Sequence, residues 1–196
     1  MITDQDIQES RKVIQQLLRE GKIVSADKER CTFFLLKSEQ AVLTAESILR
    51  ISGDIEFKKK LELLSSYEGY TWVINAAYYS MFYAATALLA HYHHHLNIEQ
   101  GIHTLTYHAM VYYFLDNDQK LPQRILEQYK STTEDATELL QLVEQKARVH
   151  VEQLKLESKK RKEFTYEMGK ISIHTKANTS LQRAQEFLNF VKELVS

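Results

Sequence analysis

Apolar residues recur along this chain at three- and four-residue steps, and the few glycines fall between the runs, at Gly21, Gly53, Gly69, Gly101 and Gly169. The pattern predicts a succession of helices. A first helix is expected over about 4–20, with Thr3 as N-cap, Ile7, Val13, Ile14, Leu17 and Leu18 on one face, and Gly21 as its stop. A second, over about 27–51, carries Phe34, Leu35, Ala41, Val42, Ala45, Ile48 and Leu49, and the small Ala41 and Ala45 would let a neighbouring helix come close. Residues 56–66 form a short helix or extend the next one. From about 70 to 95 the chain is apolar nearly all round, the mark of a central bundle helix covered on more than one side. One small bundle seldom wraps such a helix completely, so part of this face, or of a neighbour's, is expected to meet a second copy of the chain in a homodimer. A shorter helix is expected over about 104–115. Pro122 then opens a long polar helix to about 162, and an amphipathic helix over about 179–194 turns Leu181, Ala184, Phe187, Leu188, Val191 and Leu194 inward. The most linker-like stretch, 169–178, is too short to divide domains. The expectation is one all-α domain over 1–196, an up-and-down bundle of about five to six helices without any sheet, residues 1–25 being a helical extension at its N-terminus.

Composition narrows the classes. Five glycines and one proline in 196 residues are too few for the tight turns of an all-β or Rossmann-type fold. A net charge of -1 supplies no overall basic field, so any RNA binding must use a local patch. The single Cys31 excludes a disulfide framework or a cysteine zinc cluster, and together with a polar N-terminus it points to the cytoplasm. Residues 72–90 approach the length of a bilayer span. However, Asn75, Tyr78, Tyr79, Ser80, Tyr83 and Thr86 would leave polar groups poorly satisfied in hydrocarbon, so a buried bundle helix is expected and no membrane contact.

Candidate chemistry is sparse. His91, His93, His94 and His95 cluster at the end of the central helix, where His91 with His94 or His95 would share a helical face. A metal site wants a third ligand and supporting carboxylates, and Glu99 is the one acid nearby, so no metal is expected. None of the eight histidines follows a Glu by three residues, which removes the di-iron bundle reading. No phosphate-loop, dinucleotide or nucleophile-elbow motif occurs, and no cofactor is implied. The concentrated positive patch is Lys159, Lys160, Arg161 and Lys162, preceded by Lys146, Arg148, His150 and Lys155. Interleaved Glu152, Glu157 and Glu163 are what a solvated helix face would show. The functional reading is phosphate contact: an arginine fork holds two oxygens at once, the lysines add affinity without sequence preference, and Phe164 and Tyr166 are close enough in sequence to stack on a base.

The stretch Asn75-Ala-Ala-Tyr-Tyr-Ser-Met-Phe-Tyr-Ala-Ala-Thr-Ala-Leu-Leu89 resembles the central helix of the HEPN domain family (higher eukaryotes and prokaryotes nucleotide-binding). Further blocks agree in order: Leu17–Gly21 with Phe34–Ala45, then Tyr107–Phe114, then Arg161-Lys-Glu-Phe-Thr-Tyr166 and Ala184-Gln-Glu-Phe-Leu188. The resemblance covers about residue 17 to the C-terminus. It implies a dimerising helical bundle, often encoded beside a minimal nucleotidyltransferase as a toxin-antitoxin pair, whose active toxins are metal-independent ribonucleases bearing Arg-x4-6-His. Here the chain departs from the family. The next histidine after Arg161 is His174, and Tyr166 stands five residues on, while Tyr83 replaces the usual histidine of the central motif. Tyrosine, with a pKa near 10, is a poor proton shuttle at neutral pH. His150 lies two residues from Arg148, about 200° round a helix, so the two could meet one phosphate only across a dimer axis. The resemblance therefore implies a non-catalytic nucleotide- or RNA-binding module working with a separate nucleotidyltransferase, with Arg148, His150, Lys159, Lys160, Arg161, Lys162 and Tyr166 as its contacts. The alternatives are a divergent ribonuclease using Arg161 and Tyr166, and a structural dimerisation module.

Overall fold

The computed structural model describes the backbone of residues 2–117, 121–156 and 168–196, and the side chains of those lying outside 140–172. The elements are α1 (Asp4–Arg19), β1 (Ile23–Val24), α2 (Lys28–Gly53), α3 (Ile55–Lys60), α4 (Tyr70–His91), β2 (His95–Leu96), α5 (Ile102–Met110), a π-helical turn (Val111–Asn117), α6 (Gln123–Leu156) and α7 (Met168–Val195). The fold is an all-α bundle, as the three- and four-residue periodicity predicts.

Local chemistry explains the helix ends. Thr3 caps α1 through a full capping box, its Oγ1 accepting from the Asp6 amide at 3.2 Å while Asp6 Oδ2 accepts from the Thr3 amide at 2.8 Å. The Thr3 amide, and after it the Thr3 hydroxyl donating to Oδ2 at 2.8 Å, hold the Asp6 carboxyl down at about 2. Asp27 caps α2 by accepting from the Arg30 amide at 2.8 Å. Gly21, at φ +66°, takes the left-handed turn that ends α1.

In the core, α4 packs most extensively on α2 and α7, with α6 and α5 closing its remaining sides. Val73, Ile74, Ala77, Ala84, Ala85, Ala87 and Leu88 on α4 are wholly buried. Small side chains let α2 and α4 approach: Ser38 Oγ donates to the Ser80 carbonyl at 2.8 Å and lies 2.9 Å from Ser80 Oγ, and Ala45 is fully buried. The close seam thus runs through Ser38 and Ala45, whereas Ala41 is only half-buried. At the far end of the pair, a Cβ on Gly69 would sit 2.5 Å from Ile48 Cγ2, so no larger residue fits without displacement.

Several expectations change. Residues 169–178 are not a linker; they form the first part of α7, because nothing in Lys170–Asn178 breaks a helix. The sheet-free expectation gives way to a two-stranded antiparallel bridge, Ile23 opposite Leu96 and Val24 opposite His95, which ties the α1–α2 connection to the α4–α5 connection. α4 stops at His91, not near 95, and the chain turns at His93 with φ +62°. The short segment after α2 is helical over Ile55–Lys60 alone, and the chain turns just beyond it at Glu62 with φ +56°. The chain's own helices bury most of α4, leaving Trp72 (66% exposed) and Tyr79 (44%), while Phe33, Leu36 and Leu43 stand exposed on neighbouring α2. α4 is also the one helix among the described residues long and apolar enough to cross a membrane, and 61% of its most apolar window is buried in the bundle.

Candidate functional site

In sequence, the run Lys159–Lys162 of the basic patch falls after Leu156, the last described residue of α6, and before α7. Lys159, Lys160, Arg161, Lys162 and Tyr166 lie outside the described residues. Arg148 and His150 belong to α6, whose backbone is described at those positions and whose side chains there are not.

The histidine cluster has a geometry of its own. Because α4 ends at His91, His94 and His95 leave the helical face they were expected to share with it. His93 Nδ1 lies 3.3 Å from the Ala26 carbonyl, and the His93 carbonyl accepts from the Ala26 amide at 3.2 Å. His94 stacks on Tyr113 with ring centres 3.8 Å apart and planes 16° apart. His95, on β2, faces Arg30 on the first turn of α2, the guanidinium Nη1 lying 3.0 Å from Nε2 and 3.3 Å from Nδ1. Burial, and secondarily the Arg30 charge, push the His95 pKa below its ordinary value, so the ring is neutral at neutral pH. His93, His94 and His95 thus have three different partners, and no group of three metal-ligating side chains is assembled among the described residues.

Arg30, His94 and His95 border a cleft of about 150 Å³ whose walls are mainly apolar, Phe34, Phe82, Leu89, Leu96, Ile98 and Ile102. Arg30 makes no ion pair with any described carboxylate, and Asp27, three residues before it, caps the helix by accepting from its amide. Sequence reasoning missed this constellation. Arg30 and His95 are 65 residues apart, and the β1–β2 bridge that brings them together left no periodic trace. The usable signal was the histidine run itself, which cannot all be helical once α4 ends.

Two other polar groupings have structural explanations. Ser10 and His108 look like a nucleophile–base pair, with Ser10 Oγ 2.9 Å from His108 Nδ1. Ser10, wholly buried, already donates its proton to the Asp6 carbonyl at 2.8 Å, so His108 Nδ1–H is the donor and the serine is not activated. Burial holds His108, and likewise His103, below the usual imidazole range. Tyr83 lies over Phe34 with ring centres 6.1 Å apart and beside Tyr79 at 6.0 Å, an aromatic packing role. Burial, reinforced by neighbouring Tyr79, lifts the Tyr78 hydroxyl to about 12, so it stays protonated. Compared with family models, with curated proteins and with solved structures, the chain has no significant match.

Proposed function

We infer that this protein is a HEPN-type module that binds RNA or nucleotide phosphates through the basic segment joining α6 to α7. It acts as a cytoplasmic homodimer with a separate minimal nucleotidyltransferase and does not itself cleave RNA. The observation that carries the reading is the correspondence between the blocks of the resemblance and the elements of the bundle. Residues 75–89 fall wholly within α4, the helix on which the others pack; residues 107–114 fall on α5 and the π-helical turn; residues 184–188 fall on α7. Lys159, Lys160, Arg161 and Lys162 then follow the last described residue of α6, Leu156, in sequence, where arginine would clamp phosphate oxygens and lysines would add unspecific attraction. The absence of a histidine within six residues after Arg161 argues against a proton shuttle and hence for binding without turnover.

Incubation of metal-free protein with single-stranded RNA, read by both mobility shift and product analysis, tests this. Binding without cleavage, weakened by Arg161→Ala more than by Lys160→Ala, is the expected result. Cleavage lost in both Arg161→Ala and Tyr166→Phe would replace the reading with the divergent ribonuclease. Neither binding nor cleavage would leave the dimerisation module.

A further inference from the structure

The cleft at the α2–α4–α5 end shows a different kind of chemistry, independent of the basic segment. We propose that it binds a small aromatic monocarboxylate, with the carboxylate on Arg30 and the ring between Phe34 and Phe82. Size sets the body of the ligand: a cleft of about 150 Å³ holds about one benzene ring. Its composition sets the character, since Leu89, Ile98 and Ile102 complete a wall that favours an apolar group. The head group follows from charge. Arg30 engages His95 through Nη1 alone and pairs with no described acid, so its fork is available to a planar carboxylate, whose two oxygens it matches. Among the described residues Arg30 is the one cation lining the cleft, and the Asp27 carboxylate also acts on His95, so there is no surplus of positive charge for a phosphate dianion, which favours a monocarboxylate. A nucleobase fits less well, because beside Arg30 and its two histidines the described cleft offers only the Thr86 and Thr106 hydroxyls, the first already donating to the Phe82 carbonyl, and no Asn or Gln to read a base edge.

Isothermal titration of the full chain with phenylacetate tests the assignment, with phenylacetamide, inorganic phosphate and uridine 5′-monophosphate as comparisons. Saturable one-to-one binding of phenylacetate is expected, with phenylacetamide at least about tenfold weaker, as loss of a charge-assisted fork requires. Phosphate and the nucleotide should not displace it. Arg30→Gln, at a partly exposed position, should weaken phenylacetate by about tenfold or more while the unliganded protein still unfolds in one cooperative transition. Ile98→Trp, which fills the cleft from the loop before α5, should abolish binding. No saturable binding up to about 10 mM phenylacetate, equal affinity for phenylacetamide, or undiminished binding by Arg30→Gln would each overturn the proposal. Displacement by the nucleotide would overturn it in favour of a nucleotide pocket. RNA binding at the basic segment is read separately and stands or falls without this result.

Discussion

The two ends of the α2–α4 pair differ in the size of what lies between them. Toward the C-terminus of α2, Ala45, Ser52 and Gly69 allow backbone to meet backbone, and Gly69 donates its amide to Ser52 Oγ at 2.8 Å. Toward its N-terminus, Arg30 and Phe34 face Tyr83, Thr86 and His95, and α4 stops at His91. Small residues close the first end, where any added atom has no place to go. Large ones prop the second apart just where α4 gives way to a turn and a bridge, and a cleft results. One helix pair therefore serves as rigid core at one end and as a site at the other, the division being made by side-chain volume and by where α4 terminates.

The sharpest way to break this contrast is to add bulk at each end. Ala45→Leu, on the closed seam, should cost about 1–3 kcal/mol by overpacking, measured by chemical denaturation. Ile98→Trp at the cleft should change stability by no more than about 0.5 kcal/mol. Equal losses would show that the cleft is no more open than the seam.

Acid should act next, and mainly away from the seam. His95, His103 and His108 all have pKa values lowered by burial, so the unfolded chain binds more protons than the folded one below the ordinary imidazole value of about 6.5. Stability is fully present above that value and is lost as pH falls through the lowered folded values. The thermal midpoint should thus be lower at about pH 5 than at about pH 7.5, with the difference reduced in His108→Gln. An unchanged midpoint would show that the three rings are not buried as described.

Smaller effects sharpen the picture. Ser38→Ala should cost about 1 kcal/mol by removing the bond to the Ser80 carbonyl inside the seam. Thr3→Ala, at an exposed cap far from both ends, should cost about 1 kcal/mol or somewhat less.

What the sequence made legible follows from range. Thr3, Gly21 and Pro122 punctuate the chain by local rules, and the all-round apolar run over 70–91 announces a central helix because burial on several sides needs no knowledge of the partners. The α7 start was missed because Gly169 and the polar residues after it look like a loop until Ala177, Leu181 and Ala184 are packed on α4. Arg30 was missed because its role depends on His95, delivered by a bridge of only two pairs. Contacts of that kind depend on tertiary assembly and leave no spacing to read. The basic segment shows the converse: its chemistry is plain in the sequence, since Lys159–Lys162 and Tyr166 carry the charge and the ring.

The central claim, phosphate recognition by that segment, is tested most directly by the salt dependence of RNA affinity. Fluorescence anisotropy with a short single-stranded RNA, titrated over about 50–200 mM salt, should give a logarithm of affinity that falls linearly with the logarithm of salt concentration. The slope should become shallower by up to about one on Arg161→Ala and by a similar amount on Lys160→Ala, and affinity at any one salt should fall further for the arginine. An affinity independent of salt, or a slope unchanged by both substitutions, would contradict the account.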